Sequence, residues 1–257
     1  FPMGIDFAKF QEAASGPEVA EDYQKLKSSF QDYRVILSID RLDYSKGIIN
    51  RLRGYEGFLE KYSEWKEKVI LLLVVVPSRV GLDQYQKMKS QIDELVGEIN
   101  GRFGNISWTP ILYQYKYFSF TQLVSLYKAS VLALITPLRD GMNLIAKEYI
   151  ATRTDQTGVL ILSEMAGAAK ELGEAIIINP NHIEDIVAAL VEALSMPRKE
   201  QIRRNHFLQQ RLRRYDVVRW AEDFMNELAR VKKDQGDYTA RSYKYCKKGI
   251  IDCFNQA

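Results

Sequence analysis

A chain of 257 residues, 46% hydrophobic and 27% charged, carries enough apolar surface to bury a full core, as one large domain or two small ones, which excludes a disordered or fibrous protein. Its formal net charge of +3 is too small to argue for nucleic acid or an anionic membrane surface as a partner. The longest apolar run, Val69 to Val76, is far short of the ~20 residues of a membrane helix, and no charged-then-apolar leader opens the chain.

Short apolar runs alternate with longer amphipathic segments over the first three quarters of the sequence, the order of a parallel sheet with helices on both faces. The pattern predicts a helix over 17–30, a strand over 34–39, a helix over 50–62 and a strand over 69–76. It continues with a helix over 82–100, a strand over 108–112, a helix over 121–129 and a strand over 131–135. A helix over 143–151, a strand over 158–162, a helix over 166–172 and a strand over 175–178 complete it. Continuous Val, Ile and Leu, rather than strict alternation, says that these strands are buried on both faces.

After Asn179-Pro180-Asn181 the character changes to a helical cap, with helices over 183–195, 198–215 and 217–233. Gln235-Gly236-Asp237 is read as a break ahead of a last helix over 241–254, whose Tyr243, Cys246, Ile250 and Phe254 recur at the spacing of a docking face. The expected division is a Rossmann-like domain with its cap over 1–235 and a separate C-terminal helix over 236–257. Cys246 and Cys253, the two cysteines, fall two helical turns apart, too far to bridge, and are expected to be free thiols of a cytoplasmic protein. With no His or second Cys pair beside them, no metal site is expected.

Two strand ends carry the chemistry. The first strand runs into Arg41-Leu-Asp-Tyr-Ser-Lys46-Gly47, where a guanidinium and an ammonium from one short loop can hold a diphosphate from two sides. Read alone, a solvated loop is the better account of these charges, because exposed Arg and Lys are common. About one hundred residues later, the strand over 131–135 feeds Thr136-Pro-Leu-Arg-Asp140-Gly141-Met142-Asn143-Leu144, with Asn143 placed to cap the next helix. The first helical turn offers free N–H groups and a positive dipole end, suited to a phosphate. Asp140 is awkward beside a phosphate and better suited to sugar hydroxyls. Glu148, near the end of the next turn, is where a second carboxylate could take the paired hydroxyls of a ribose, although without its neighbours an ordinary exposed helix Glu is the better account. Ser163-Glu-Met-Ala-Gly167-Ala-Ala169 is a small-residue turn that permits close backbone approach, and tight packing of a helix on the sheet accounts for it about as well. The P-loop, Gly-x-Gly-x-x-Gly, Gly-x-Ser-x-Gly and Asp-x-Asp patterns are missing, and His182 and His206 belong to the helical cap, away from the strand ends.

Arg41 to Gly47, Val76-Pro-Ser-Arg79, Trp108-Thr-Pro110, Thr136 to Tyr149 and Gly158 to Ala169 follow one another in the order and spacing of trehalose-6-phosphate synthases, and the chain resembles the C-terminal half of that family over roughly Phe1 to Lys233. The resemblance implies a GT-B glycosyltransferase, two Rossmann-like domains facing a cleft, with this chain as the donor-binding one. It implies transfer of glucose from UDP-glucose to glucose 6-phosphate with retention, giving trehalose 6-phosphate and UDP, with UDP-glucose as co-substrate and no cofactor or metal. By the same resemblance Arg41 and Lys46 would hold the UDP diphosphate, with Asp140 completing the catalytic set. The backbone of Met142, Asn143 and Leu144 would cap the diphosphate, Asp140 and Gly141 would contact the glucose, and Glu148 would take the ribose. Phe118 would stand on the uracil side and Arg79 would reach the acceptor phosphate.

The chain opens on Phe1 rather than Met and is expected to be a fragment or a processed chain. The family keeps most contacts to glucose 6-phosphate on its N-terminal domain, so the chain alone is expected to bind donor and to turn over poorly or not at all. A final helix crossing to that domain, a homo-oligomer and a following phosphatase domain are all compatible with the resemblance. The competing expectation is a regulatory, non-catalytic synthase-like module that binds a UDP-sugar or a protein partner.

Overall fold

A computed structural model describes residues 1–30, 33–78 and 81–254, with side chains as far as residue 235. Six strands make one sheet: β1 (Arg34–Arg41), β2 (Val69–Val76), β3 (Ile111–Tyr115), β4 (Leu132–Ile135), β5 (Val159–Ser163) and β6 (Ile176–Ile178). All its pairs are parallel and their order is β3-β2-β1-β4-β5-β6. The chain builds outward from β1 to β3, then returns to the other side of β1 to lay down β4. The loops leaving β1 and β4 therefore diverge and open a crevice at the carboxyl ends of these strands, where doubly wound sheets bind ligands.

The helices are α1 (Phe7–Ser15), α2 (Pro17–Phe30), α3 (Ile48–Lys61), α4 (Asp83–Phe103), α5 (Phe120–Ala129), α6 (Leu144–Thr152), α7 (Ile183–Ser195), α8 (Arg198–Arg214) and α9 (Val217–Phe254). Helices α3, α4 and α7 pack together in one layer, and α1, α2, α5, α6 and α8 pack in another. Right-handed crossovers put the connecting helices α3 and α4 on one face and α5 and α6 on the other, because the chain traverses the sheet in opposite directions before and after β3. The central strands are buried along nearly their whole length, as continuous apolar runs predict. Among the described residues no helix is long and apolar enough to cross a membrane.

Four elements differ from expectation. Strand β3 begins at Ile111 rather than 108, because Pro110 has no N–H to give a ladder. The Pro110 carbonyl instead accepts from Leu71 N at 2.8 Å and the Tyr55 hydroxyl at 3.1 Å, while Trp108 is anchored through Nε1 to Val69 O at 2.8 Å. Helix α1 was not anticipated, although Asp6 caps it by accepting from Lys9 N at 2.9 Å and Phe7 and Ala14 bury one face. The expected helix over 166–172 is one 3-10 turn, Gly167–Lys170, tied at its start to the loop after β4 and followed almost at once by β6. Gly236 does not break the last helix: α9 runs unbroken from Val217 to Phe254, since a single interior Gly costs a helix only ~1 kcal/mol. The proposed docking face at Tyr243, Cys246, Ile250 and Phe254 has its side chains outside the described residues.

Gly54 fixes how closely α3 and α7 approach. A Cβ there would lie 2.4 Å from Ile186 Cγ2 and 2.7 Å from Ile186 Cβ. Gly54→Ala, which would stabilise an exposed helix by ~1 kcal/mol, is therefore expected to destabilise this protein by about 1–3 kcal/mol in urea denaturation. Combined with Ile186→Ala, the two losses are expected to be less than additive.

Candidate functional site

The loop leaving β1 is shaped by its own polar residues. Asp43 Oδ1 accepts from Ser45 N at 2.9 Å and Ser45 Oγ at 2.7 Å, folding Tyr44–Lys46 into a 3-10 turn. Gly47 ends the turn at φ 66°, and a Cβ there would meet the Thr136 carbonyl at 2.6 Å, so only glycine fits on both counts. This approach lets the Ser45 carbonyl accept from Leu138 N at 2.8 Å and Arg139 N at 3.1 Å. The loops after β1 and β4 are thereby stitched together.

Beneath them lies Arg51, a fully buried residue of α3. Its Nη2 donates to Asp40 Oδ2 at 2.8 Å and to the Lys46 carbonyl at 3.0 Å. Its Nη1 donates to Ser38 Oγ at 2.6 Å and its Nε to Thr136 Oγ1 at 3.1 Å. One guanidinium thus ties together β1, the loop after it and the end of β4. Burial pushes the Asp40 carboxyl up from its ordinary value and Arg51 opposes that shift. Asp40 Oδ1 is buried with no hydrogen-bond partner among the described residues.

The loop after β4 is equally constrained. Asn143 takes φ 78°, an αL conformation that Asn tolerates better than most residues, and caps α6 by accepting from Ala146 N at 3.1 Å. Its Nδ2 donates to Asp140 Oδ2 at 3.1 Å, and Asp140 Oδ1 accepts from Met142 N at 3.3 Å. The small-residue turn after β5 closes from the third side: Gly167 N donates to Asp140 O at 3.0 Å and Ala168 N to Met142 O at 2.7 Å. A Cβ at residue 167 would lie 2.0 Å from the Gly141 carbonyl, so the close approach expected of this segment is real and glycine is required for it.

These constraints bring Lys46 and Asp140 together at 2.5 Å, both mostly buried. Gly141 is exposed, with open space where a side chain would project. Met142 and Leu144 are half-buried around the start of α6. Arg41 ends β1 with its side chain exposed and, among the described residues, has no ion-pair partner. Glu148, on the next part of α6, is half-buried and accepts from the Tyr127 hydroxyl at 2.8 Å. Burial pushes the Glu148 carboxyl up, and the Tyr127 hydrogen bond opposes this. A cavity of about 470 Å³ opens beside the junction, bounded by Tyr44, Gly47, Leu138, Tyr85 and Met88.

Phe118 is placed differently. It packs on the core beside Lys116, whose Nζ is 4.9 Å from its ring centre, and lines a cavity of about 170 Å³ with Leu26 of α2 and Gln122 and Leu126 of α5. None of the loop residues above borders that cavity. Arg79 lies outside the described residues. Among the described residues no three His, Cys, Asp or Glu gather closely enough to hold a metal ion.

Sequence reading missed Arg51, Asp40 and Tyr127. The signal for Arg51 was present: in the helix pattern it falls between Ile48, Leu52 and Tyr55, on the stripe that faces the core. A charge there needs a buried partner.

An open parallel sheet whose order reverses at a crevice lined by a cationic turn and a capped helix start defines a doubly wound α/β domain. The model of glycosyltransferase family 20 matches residues 1–230, and the chain belongs to that family. It is 46% identical over 252 residues to the bifunctional trehalose-6-phosphate synthase/phosphatase of Thermoproteus tenax, covering 98% of this chain and 34% of that relative. It is 42% identical over 232 residues to the UDP-forming alpha,alpha-trehalose-phosphate synthase of Schizosaccharomyces pombe, covering 90% of this chain and 45% of the relative. The solved structure of the UDP-forming synthase of Burkholderia xenovorans in complex with glucose-6-phosphate matches with a TM-score of 0.87 at 38% identity, over 89% of this chain and 51% of that one. A structure described as trehalose-6-phosphate from E. coli bound with UDP-2-fluoro glucose matches with a TM-score of 0.84 at 38% identity, over 88% and 50%. The chain thus spans between a third and about half the length of the relatives it matches.

Arg51→Met leaves Asp40 buried without its counter-charge and is expected to cost about 3–5 kcal/mol of unfolding free energy in urea denaturation. Adding Asp40→Asn in the Arg51→Met background is expected to recover part of that loss, because the stranded charge is then gone.

Proposed function

We propose that this chain is the donor-binding half of a retaining glycosyltransferase that moves glucose from UDP-glucose to glucose 6-phosphate, giving trehalose 6-phosphate and UDP. The observation that carries the reading is the convergence of Lys46, Asp140 and the capped start of α6 at the switch point of the sheet, in a chain of glycosyltransferase family 20. The relative crystallised with glucose-6-phosphate and the one bound with UDP-2-fluoro glucose supply the substrate classes.

In this reading Arg41 and Lys46 take the diphosphate, and the backbone at Met142, Asn143 and Leu144 caps it with the positive end of α6. Asp140 and Gly141 face the glucose, Glu148 takes the ribose hydroxyls, Phe118 stands on the uracil side and Arg79 serves the acceptor phosphate. The bond from the anomeric carbon to the diphosphate oxygen breaks as a bond to the acceptor hydroxyl oxygen forms on the same face. The acceptor proton passes to the departing diphosphate. Charge grows on the diphosphate as this happens, so fixed cations stabilise the transition state more than the ground state.

The Lys46–Asp140 pair gives this site a specific behaviour. In the free protein Asp140 neutralises Lys46; a bound diphosphate takes over Lys46 and releases Asp140 to accept from sugar hydroxyls. Lys46→Ala removes one diphosphate contact and leaves Asp140 unpaired beside the phosphates, so UDP affinity measured by calorimetry is expected to fall by about 1–3 kcal/mol. Asp140→Asn frees Lys46 and is expected to keep or raise UDP affinity while removing what the glucose adds in UDP-glucose. Unchanged UDP affinity in folded Lys46→Ala and Arg41→Ala would defeat the diphosphate reading, and equal binding of GDP-glucose would defeat the choice of base. With about half of a synthase's length present, the chain is expected to bind UDP-glucose without releasing UDP when glucose 6-phosphate is added.

Glu148 supplies a pH dependence. Burial raises its carboxyl above the ordinary range, so on acidification it becomes neutral earlier than a solvated Glu. A carboxylate accepts from both ribose hydroxyls and a carboxylic acid does not, so UDP affinity is expected to fall as pH drops through that raised value. Protonation of the diphosphate weakens binding in every variant. Glu148→Gln should therefore retain only that part of the profile, and matching profiles in the two proteins would remove Glu148 from the site.

A further inference from the structure

Tyr127 is a tyrosine of α5 with no solvent exposure, and the family reading gives it no role. Three contacts fix it. Its ring meets the Tyr149 ring edge-on, with centroids 6.3 Å apart and planes at 81°. Its backbone carbonyl accepts from Arg153 Nη1 at 3.0 Å, and Arg153 also holds the carbonyls of Lys128 and Ser130 at the end of α5. Its hydroxyl donates to Glu148 Oε2 at 2.8 Å, across the boundary between α5 and α6.

Glu148 has a free Oε1: among the described residues no protein group donates to it. A glutamate side chain turns about three bonds, and a ligand that needs it in one orientation must hold those rotations at binding. A buried hydroxyl already bonded to one carboxylate oxygen fixes the plane of the carboxylate beforehand. It leaves Oε1, and the remaining lone pair of Oε2, without a protein donor among the described residues. A vicinal diol presents two hydroxyls at the spacing of the two oxygens of one carboxylate.

We propose that Tyr127 is a positioning residue of the donor site, its buried hydroxyl setting the orientation in which Glu148 meets the two ribose hydroxyls of the nucleotide. This rests on the reading of Glu148 as the ribose acceptor. The contribution of Tyr127 is confined to the diol: it touches neither the diphosphate loop nor the sugar side of the crevice.

The test compares UDP with 2′,3′-dideoxy-UDP by calorimetry on the folded chain, taking the ratio of the two affinities in each protein. Because both ligands are titrated into the same preparation, a partly unfolded variant leaves the ratio unmoved. Glu148→Gln is expected to collapse the preference for UDP. Tyr127→Phe, which keeps the ring and deletes the hydroxyl, is expected to lower UDP affinity about three- to tenfold with dideoxy-UDP affinity unchanged. If Glu148→Gln collapses the ratio and Tyr127→Phe weakens both ligands equally or neither, Tyr127 is structural and the proposal is overturned while the ribose reading stands. If Glu148→Gln itself leaves the ratio intact, the ribose reading falls and takes the proposal with it.

Discussion

The guanidinium of Arg51 is the constraint on which the crevice depends. Where the strand order reverses, the register between β1 and β4 pairs only Ile36 with Leu132 and Leu37 with Ala133, short of the loops that follow the two strands. Arg51 reaches up from α3 and holds Ser38 and Asp40 of β1, the Lys46 carbonyl and the Thr136 side chain at once. Desolvating an Arg–Asp pair recovers little net stability compared with an apolar pair of the same volume. What it supplies is direction: four donors in one plane define where the two loops stand relative to each other.

Above this brace, irregular backbone replaces side chains as the building material. Gly47, Asn143 and Gly167 occur where the chain turns left-handed or where two backbones nearly touch. Each allows a loop carbonyl or N–H to be satisfied by a neighbouring loop, so that three loops interlock without a hydrophobic core of their own. The polar groups left facing the crevice are then few and held in place, a requirement for any site that must recognise charge with little reorganisation.

The sheet was legible because its strands are continuous β-branched and aliphatic runs, and the Asp140–Asn143 turn because Pro137, Gly141 and a capping Asn mark a strand-to-helix junction. The start of β3 was not legible from hydrophobicity, since Trp108 is as apolar as a strand residue and only the missing N–H of Pro110 delays the ladder. Gly236 misled for the opposite reason: a local breaker is a weak signal against long helical stretches on either side. The Arg51 brace was hidden because Thr136 lies far in sequence from Ser38, Asp40 and Arg51, and only the parallel pairing of β1 and β4 brings it beside them. Tyr127 lies within the expected helix over 121–129, and nothing in a single sequence says that its hydroxyl aims at a carboxylate on the next helix. For Phe118 the position after β3 was legible, and its packing on the core beside a cavity shared with α2 and α5 was not.

Because Lys46 and Asp140 are paired, the diphosphate uptake proposed for this crevice would be an exchange of partners rather than a simple capture. Dissolved salt screens the internal pair and the incoming anion's attraction to Lys46 alike, so the two effects oppose one another. Arg41, exposed and with no internal partner among the described residues, has no such compensation. Under that proposal ionic strength would act on the site mainly through Arg41, and the inner cation would keep its grip in conditions that silence the outer one.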